Sequence, residues 1–424
     1  MTGFQRAGDE LQLDGVSLAS IAERFGTPCY VYSRALIESV YAEFDAGLTG
    51  VDHLVCYAVK ANSNLAVLEV LARLGAGFDI VSGGELARVL AAGGRADRVI
   101  FSGVGKSRDE MRTALAAGIK CFNVESEPEL DRLDAVAGET GRKAPVSLRI
   151  NPDVDARTHP YISTGMAGNK FGIPHGRAVA AYRHAASLRN LVVTGIDCHI
   201  GSQILETTPL DEALERVLDL VAALGREGIT LKHVDLGGGF GIRYREETPP
   251  DIPAYCRGLV QRLKERAAST GSGQGFQVLL EPGRAIVGNA GVLLTRVEYL
   301  KLDKAKRFAV VDASMSELIR PALYQAWHDI VAVRAAAVPA QSYDVVGPVC
   351  ESSDVLGLDR SLAIEPGSLL AIMSAGAYAM AMASNYNSRP RPCEVLVDAG
   401  DAVEIRARES VESLFALERG LAKR

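Results

Sequence analysis

The chain has 424 residues, 48% of them apolar and 23% charged, and a formal net charge of −6. That length exceeds what one small core needs and asks for two domains. No apolar run reaches the roughly 18 residues of a membrane span, the opening "MTGFQRAGDE" lacks the apolar core of a signal peptide, and the acidic balance gives no nucleic-acid footprint. A cytoplasmic protein acting on a small molecule is expected.

The first stretch with structure in it is "ELQLDGVSLASIAERFGTPCYVYS", part of which is expected to pack with a later β domain. From residue 53 one pattern repeats: a short β-branched run, a loop opening on a small or polar residue, then an Ala/Leu-rich helical segment. The runs are "HLVCYAV" (53–59), "GFDIV" (77–81), "RVIFS" (98–102), "KCFNV" (120–124), "PVSLRI" (145–150), "VVTGIDCHI" (192–200), "KHVDL" (232–236) and "FQVLL" (276–280). Segments such as "ELARVLAAG" and "TPLDEALERVLDLVAALGREG" between them carry apolar residues at helical spacing and stop on glycine. Eight strand–helix units predict an α/β (β/α)8 barrel over residues 30–284, with a doubly wound open sheet as the alternative. The stretch "STGSGQG" (269–275) reads as a surface connection.

After about residue 285 the runs "AGVLLTRVEYLK", "RFAVVDAS", "DIVAVRAA", "SYDVVG", "SLLAIM" and "CEVLVD" succeed one another with little helix between them. They predict a second, mainly antiparallel β-barrel or sandwich domain formed by 1–29 and 285–424. The seven cysteines, Cys29, Cys56, Cys121, Cys198, Cys256, Cys350 and Cys393, are scattered without a C-x-x-C pair, so no disulfide framework and no metal site is indicated.

A barrel enzyme carries its chemistry at the carboxyl ends of its strands. Those positions hold Lys60, Ser82-Gly83-Gly84-Glu85, Gly103, Glu125, Asn151, His199-Ile200-Gly201-Ser202, Gly237-Gly238-Gly239 and Glu281-Pro282-Gly283-Arg284. Singly each has an ordinary reading: a lysine closing a strand is usually a solvated end, a lone histidine a core hydrogen-bonder, a glycine run a tight turn, a glutamate the partner of a nearby arginine. Together they suit pyridoxal 5'-phosphate. An amine in a partly dry mouth becomes nucleophilic toward an aldehyde, glycine amides can face a phosphate, His199 can stack on the ring, and Glu281 can hold the pyridine nitrogen protonated.

Several long motifs extend this reading: "YAVKANSN", "GFDIVSGGEL", "LRINPDVDARTHPYISTGMAGNKFGI", "CHIGSQI", "DLGGGFGI", "EPGRAIVGNAG", "DASMSELIRPALYQAWHDI", "VVGPVCESSDVLG" and "AGAYAMAMASNYNSRPRP". Over nearly its whole length the chain resembles the barrel-type pyridoxal-phosphate amino-acid decarboxylases, most closely the branch acting on diaminopimelate. The resemblance implies a head-to-tail homodimer, each site built by one barrel and the partner's β domain. It implies Lys60 as the covalent anchor of the cofactor, Asp79 and His199 beside it, and Ser202 and Gly239, with Gly237, Gly238, Gly283 and Arg284, around its phosphate. Glu281 matches the partner of the pyridine nitrogen. Arg284, Arg320 and Tyr324 match residues holding the far end of the substrate, and Tyr378 one touching both phosphate and substrate. Cys350 matches the acid that protonates the decarboxylated carbon from across the interface, although taken alone a free cysteine packs as a small apolar group. Glu351 matches the carboxylate that receives a distal ammonium.

Glu351 together with Arg284 and Arg320 suits a substrate with both a distal amine and a distal carboxylate. The expected reaction is decarboxylation of meso-2,6-diaminopimelate to L-lysine. The alternatives are a decarboxylase of ornithine, lysine or carboxynorspermidine, and a regulatory relative that binds the cofactor without turnover. One departure from the family pattern is Ala379, which stands after Tyr378 where glycine is frequent and bears on local loop geometry.

Overall fold

The structure, a computed structural model, describes residues 3–156, 169–270, 275–303, 306–334 and 336–421. Most of the "STGSGQG" connection and the middle of the "LRINPDVDARTHPYISTGMAGNKFGI" motif lie outside the described residues. The chain divides into two compact units, one of residues 38–242 and 247–286, the other of 3–37, 243–246 and 287–421 among those described.

In the first unit eight parallel strands make the barrel wall: β1 (His53–Ala58), β2 (Gly77–Ile80), β3 (Val99–Phe101), β4 (Cys121–Val124), β5 (Ala144–Asn151), β6 (Leu191–Asp197), β7 (His233–Asp235) and β8 (Gln277–Leu280), with the two-residue strand Ile173–Pro174 beside β5. Each pairs with the next, and β8 closes on β1 in the register Val278↔His53, Leu279↔Leu54, Leu280↔Val55. Closure leaves no open edge and excludes the doubly wound sheet. Leu54, Cys56, Ile100, Cys121 and Leu279 pack as one core cluster of the barrel strands.

The intervening helices obey their sequence signals. Helix Arg108–Ala117 starts at a capping box of Ser107 and Glu110 and stops at Gly118 in the left-handed conformation, φ +72°. Its buried residues Met111, Ala114 and Leu115 recur at spacings of three to four, which lays one apolar stripe inward. Five of the expected runs end earlier than the sequence suggests, and two of these matter for the site. β1 stops at Ala58, and Lys60 sits in a 3-10 turn, Val59–Ala61; β6 stops at Asp197, two residues before His199. Both side chains therefore belong to loops beyond the strands.

In the second unit the long strand Gly291–Leu302 pairs antiparallel with Arg307–Val311, Leu369–Ile372 and Cys29–Ser33. Cys29–Ser33 in turn runs parallel to Cys393–Asp398, which forms a hairpin with Asp401–Arg406. Gln341–Val346 pairs parallel with Arg307–Val311 and antiparallel with Val355–Leu362. Alternate residues of these strands, Val31, Val292, Leu294, Val395 and Val397, meet Leu18, Ile21 and Ala22 of the helix Leu18–Phe25 in one core.

Candidate active site

At the carboxyl end of the barrel the Lys60 amine donates to Oδ2 of Asp79 across 2.8 Å. Asp79 lies near the end of β2, wholly buried, and its Oδ1 has no hydrogen-bond partner among the described residues. The 3-10 turn lifts Lys60 off the strand, so a charged side chain succeeds the apolar β1 without entering its core.

His199 accepts the Gly238 N–H at its Nδ1, 3.2 Å away, so its ring proton sits on Nε2. Burial, reinforced by Arg149 and Lys60, holds this imidazole well below the usual histidine range and keeps it neutral. Glu281, 5% exposed just after β8, places Oε2 3.9 Å from His199 Nδ1 and Oε1 3.5 Å from Asn123 Nδ2.

Behind Glu281 stand Asp235 and Asp197 at the ends of β7 and β6, the three carboxylates offering oxygens within 4.8 Å of one another. Burial first, and mutual repulsion next, raise Glu281 and Asp197 well above the usual carboxylate range; burial chiefly pushes Asp235 up to about 7. Three such groups in a dry barrel mouth hold protons rather than three full charges. The Arg149 guanidinium supplies a cation beside them, 3.1 Å from Glu125 and 4.0 Å from Asp197.

The glycine loop comes directly after β7. Gly237 and Gly239 have φ of +67° and +95°, open to glycine at no steric cost. A Cβ on Gly237 would stand 2.6 Å from the Cys198 carbonyl oxygen, and Cβ atoms on Gly238 and Gly239 would collide with the carbonyls of Glu281 and Gly201. Asp235 steadies the loop by accepting the Gly237 N–H at 2.9 Å. Gly283 packs where a Cβ would come 2.9 Å from that of Ala58. Arg284, 5% exposed, donates to Ser202 Oγ at 2.9 Å. One unit thus brings Lys60, Asp79, His199, Ser202, Gly237, Gly238, Gly239, Glu281, Gly283 and Arg284 to a single barrel end. The donor set fits pyridoxal phosphate: an amine for an aldehyde, a buried carboxylate for a pyridine nitrogen, and a side-chain-free loop with an arginine–serine pair for a phosphate.

The remaining candidates lie in the sheet unit. Arg320, 7% exposed at the start of helix Arg320–Tyr324, donates from Nε to His328 Nε2 at 3.2 Å and lies 5.0 Å from the Tyr244 ring centre and 5.9 Å from that of Tyr324. Cys350 is exposed, its N–H bound to Asn387 Oδ1 at 2.8 Å; Glu351 beside it accepts from the Tyr386 hydroxyl at 3.5 Å. Tyr378 adopts φ +54°, whereas Ala379 has φ −111°, so the alanine occupies a position that does not need glycine's freedom. The glycine this loop does need is Gly376, where a Cβ would collide with the Val287 carbonyl.

Sequence reasoning assigned no role to Asn123, Arg149, Asp197 or Asp235 in the barrel, or to His328 and Asn387 in the sheet. The first four share a legible signal, a polar residue within or ending an otherwise apolar parallel strand, which a closed barrel turns inward.

The sequence profile described as "Pyridoxal-dependent decarboxylase, pyridoxal binding domain" matches residues 34–288. The chain is 59% identical to the diaminopimelate decarboxylase of Pseudomonas fluorescens over 98% of each chain. It is 56% identical to that of Vibrio cholerae, again over 98% of each. The crystal structure of diaminopimelate decarboxylase from Helicobacter pylori complexed with L-lysine matches with a TM-score of 0.89 and 41% identity, covering 94% of this chain and 98% of that one.

Proposed function

The chain belongs to the pyridoxal-dependent decarboxylases, and on that premise we propose that it converts meso-2,6-diaminopimelate to L-lysine and carbon dioxide in the cytoplasm. The observation that carries this reading is the Lys60 amine held 2.8 Å from buried Asp79 at the same barrel end as Glu281. The Pseudomonas and Vibrio relatives and the lysine in the Helicobacter pylori structure support the choice of substrate.

Lys60 is the covalent anchor of the cofactor, Gly237, Gly238, Gly239, Ser202 and Arg284 receive its phosphate with Gly283 beside them, and Asp79 and His199 flank its ring. Bound there, pyridoxal phosphate supplies an electron sink for the pair left when the carboxylate departs. Glu281 would hold a proton at the pyridine nitrogen, its carboxylate being the counter-charge to the protonated ring, and the protons that Asp197 and Asp235 retain spare that carboxylate further repulsion. The neutral His199, with Nδ1 committed to Gly238, presents a flat face without competing for that proton.

The enzyme acts as a homodimer with shared sites. Arg320, Tyr324 and Tyr378 bind the end of the substrate that does not react, Glu351 receives its distal ammonium, and Cys350 of the partner subunit delivers a proton from Sγ to the α-carbon. The exposure of Cys350 in its own unit agrees with a residue offered outward.

The test is carbon dioxide release from meso-diaminopimelate with added pyridoxal phosphate, beside ornithine and lysine. Release from diaminopimelate is expected; release only from the other two would overturn the substrate and leave the chemistry standing.

A further inference from the structure

The reaction has no use for Cys29 and Cys393, the two cysteines that the sheet unit brings side by side. They lie 364 positions apart (393 − 29) yet are register partners in adjacent parallel strands. Paired positions point to the same face of a sheet, and neighbouring strands lie about 4.8 Å apart. That places their Cα atoms inside the span of about 4.4–6.8 Å that a disulfide bridges. Both side chains enter the same apolar cluster, at 0% and 1% exposure.

Above Cys393 the Arg408 guanidinium is pinned. Its Nη2 donates to the carbonyls of Phe25 at 3.3 Å and Pro28 at 2.8 Å and stands 3.6 Å from Cys393 Sγ. We propose that Cys29 and Cys393 form a modification site, a dithiol that closes to an intramolecular disulfide when the enzyme meets a peroxide.

The electrostatics support the roles of the two sulfurs. The Cys29 thiol and then Arg408 pull Cys393 down to about 7, against burial and the charge of Glu404. Cys29 is pushed far up, chiefly by Cys393 and by burial. The Arg408 guanidinium beside Cys393 Sγ favours the thiolate on that sulfur and leaves Cys29 as the thiol partner, the arrangement thiol oxidation requires. Burial keeps Cys56, Cys121, Cys198 and Cys256 protonated.

The Cys393 thiolate attacks one peroxide oxygen, breaking the O–O bond; the departing hydroxide takes up a proton as water, leaving a sulfenic acid on Cys393. The Cys29 sulfur then attacks that sulfur, the S–O bond breaks, and the Cys29 proton leaves with the hydroxide as a second water. Two thiols lose two electrons and the peroxide gains them. Both sulfurs are buried, so the peroxide reaches Cys393 when the partly exposed Arg408 side chain that covers it moves aside.

The holoenzyme is treated with hydrogen peroxide, alkylated with iodoacetamide and mapped by mass spectrometry without reduction. The expected product joins the peptides bearing Cys29 and Cys393, lacks two hydrogens, and separates on adding dithiothreitol, while the absorbance of bound cofactor stays unchanged. Cys29→Ser should leave a sulfenic acid on Cys393 that dimedone captures, and Arg408→Gln should slow bridging at pH 7 by about tenfold through loss of thiolate. The proposal is overturned if both cysteines stay reduced after the exposed Cys350 has been oxidised, or if the cross-link maps to another pair. The wild-type map decides even where a variant does not fold.

Discussion

Lys60 and Asp79 meet at 2.8 Å with unequal burial, the amine side chain 36% exposed and the carboxylate entirely enclosed. The carboxylate is fixed by the barrel wall while the amine keeps access to the mouth. An amine so placed is oriented before any substrate arrives, which lowers the entropy cost of the reactive geometry. Lys60→Ala should therefore abolish both turnover and the visible absorbance of bound cofactor. A spectrum that retains the band would move the anchor to another residue. Asp79→Asn should keep the fold, since the amide has the same shape, and weaken cofactor binding by about tenfold in a fluorescence titration, as loss of a charge-assisted bond implies.

Glu281→Gln replaces an acid that can hold a proton by an amide that cannot exchange one. A charge-assisted bond of this kind contributes on the order of 1.5–3 kcal/mol, so kcat should fall by roughly one to two decades with cofactor still bound. Unchanged kcat would remove Glu281 from the pyridine nitrogen.

For Asp235 the expectation concerns pH. Its folded-state value near 7 lies above the ordinary carboxylate value, so the folded chain binds a proton more tightly than the unfolded one. Its contribution is fully present below about pH 4 and is lost as pH rises toward about 7. In the cofactor-free chain, Asp235→Asn keeps an oxygen to accept the Gly237 N–H and removes the titration. Urea denaturation of that variant should show a flatter decline of stability across this window than wild type.

Gly238→Ala tests the cradle by volume alone. Its Cβ would run into the Glu281 carbonyl, backbone that cannot swing aside. A cost of about 1–3 kcal/mol in stability and a loss of cofactor affinity are expected, from thermal melts with and without pyridoxal phosphate. Alanine at Gly376, three positions before Ala379, should be at least as damaging, whereas Ala379→Gly should change little.

Mixing Lys60→Ala with Cys350→Ala tests the shared site. Each variant alone should be nearly inactive, and random re-pairing into a two-fold dimer should restore about a quarter of wild-type activity, because half the dimers then hold one intact site. No recovery on mixing would place both residues of a site in one chain.

Periodicity was enough to place the eight barrel strands, because each is a short β-branched run closed by a small or polar residue, and burial on both faces leaves no other use for such runs. Lys60, His199, the three glycines and Glu281 were legible for the same reason: the residues just past the carboxyl end of a parallel barrel strand reach the mouth. Their local setting was not. Lys60 sits in a 3-10 turn and His199 two residues past its strand, since strand ends are decided by ladder partners and not by the run itself.

The sequence by itself determined the alternation of strands and helices and the chemical inventory that follows the strands, because both arise from short-range pattern; whether the sheet closes into a barrel was decided by the tertiary structure. Only the tertiary structure decided which charges face one another. Arg149 meets Asp197 and Glu125, Asp235 stands behind Glu281, and Cys29 lies beside Cys393. Those encounters join residues far apart in the chain, and the pairing of neighbouring strands, which no local preference encodes, brings them within reach of Coulomb's law and of a covalent bond.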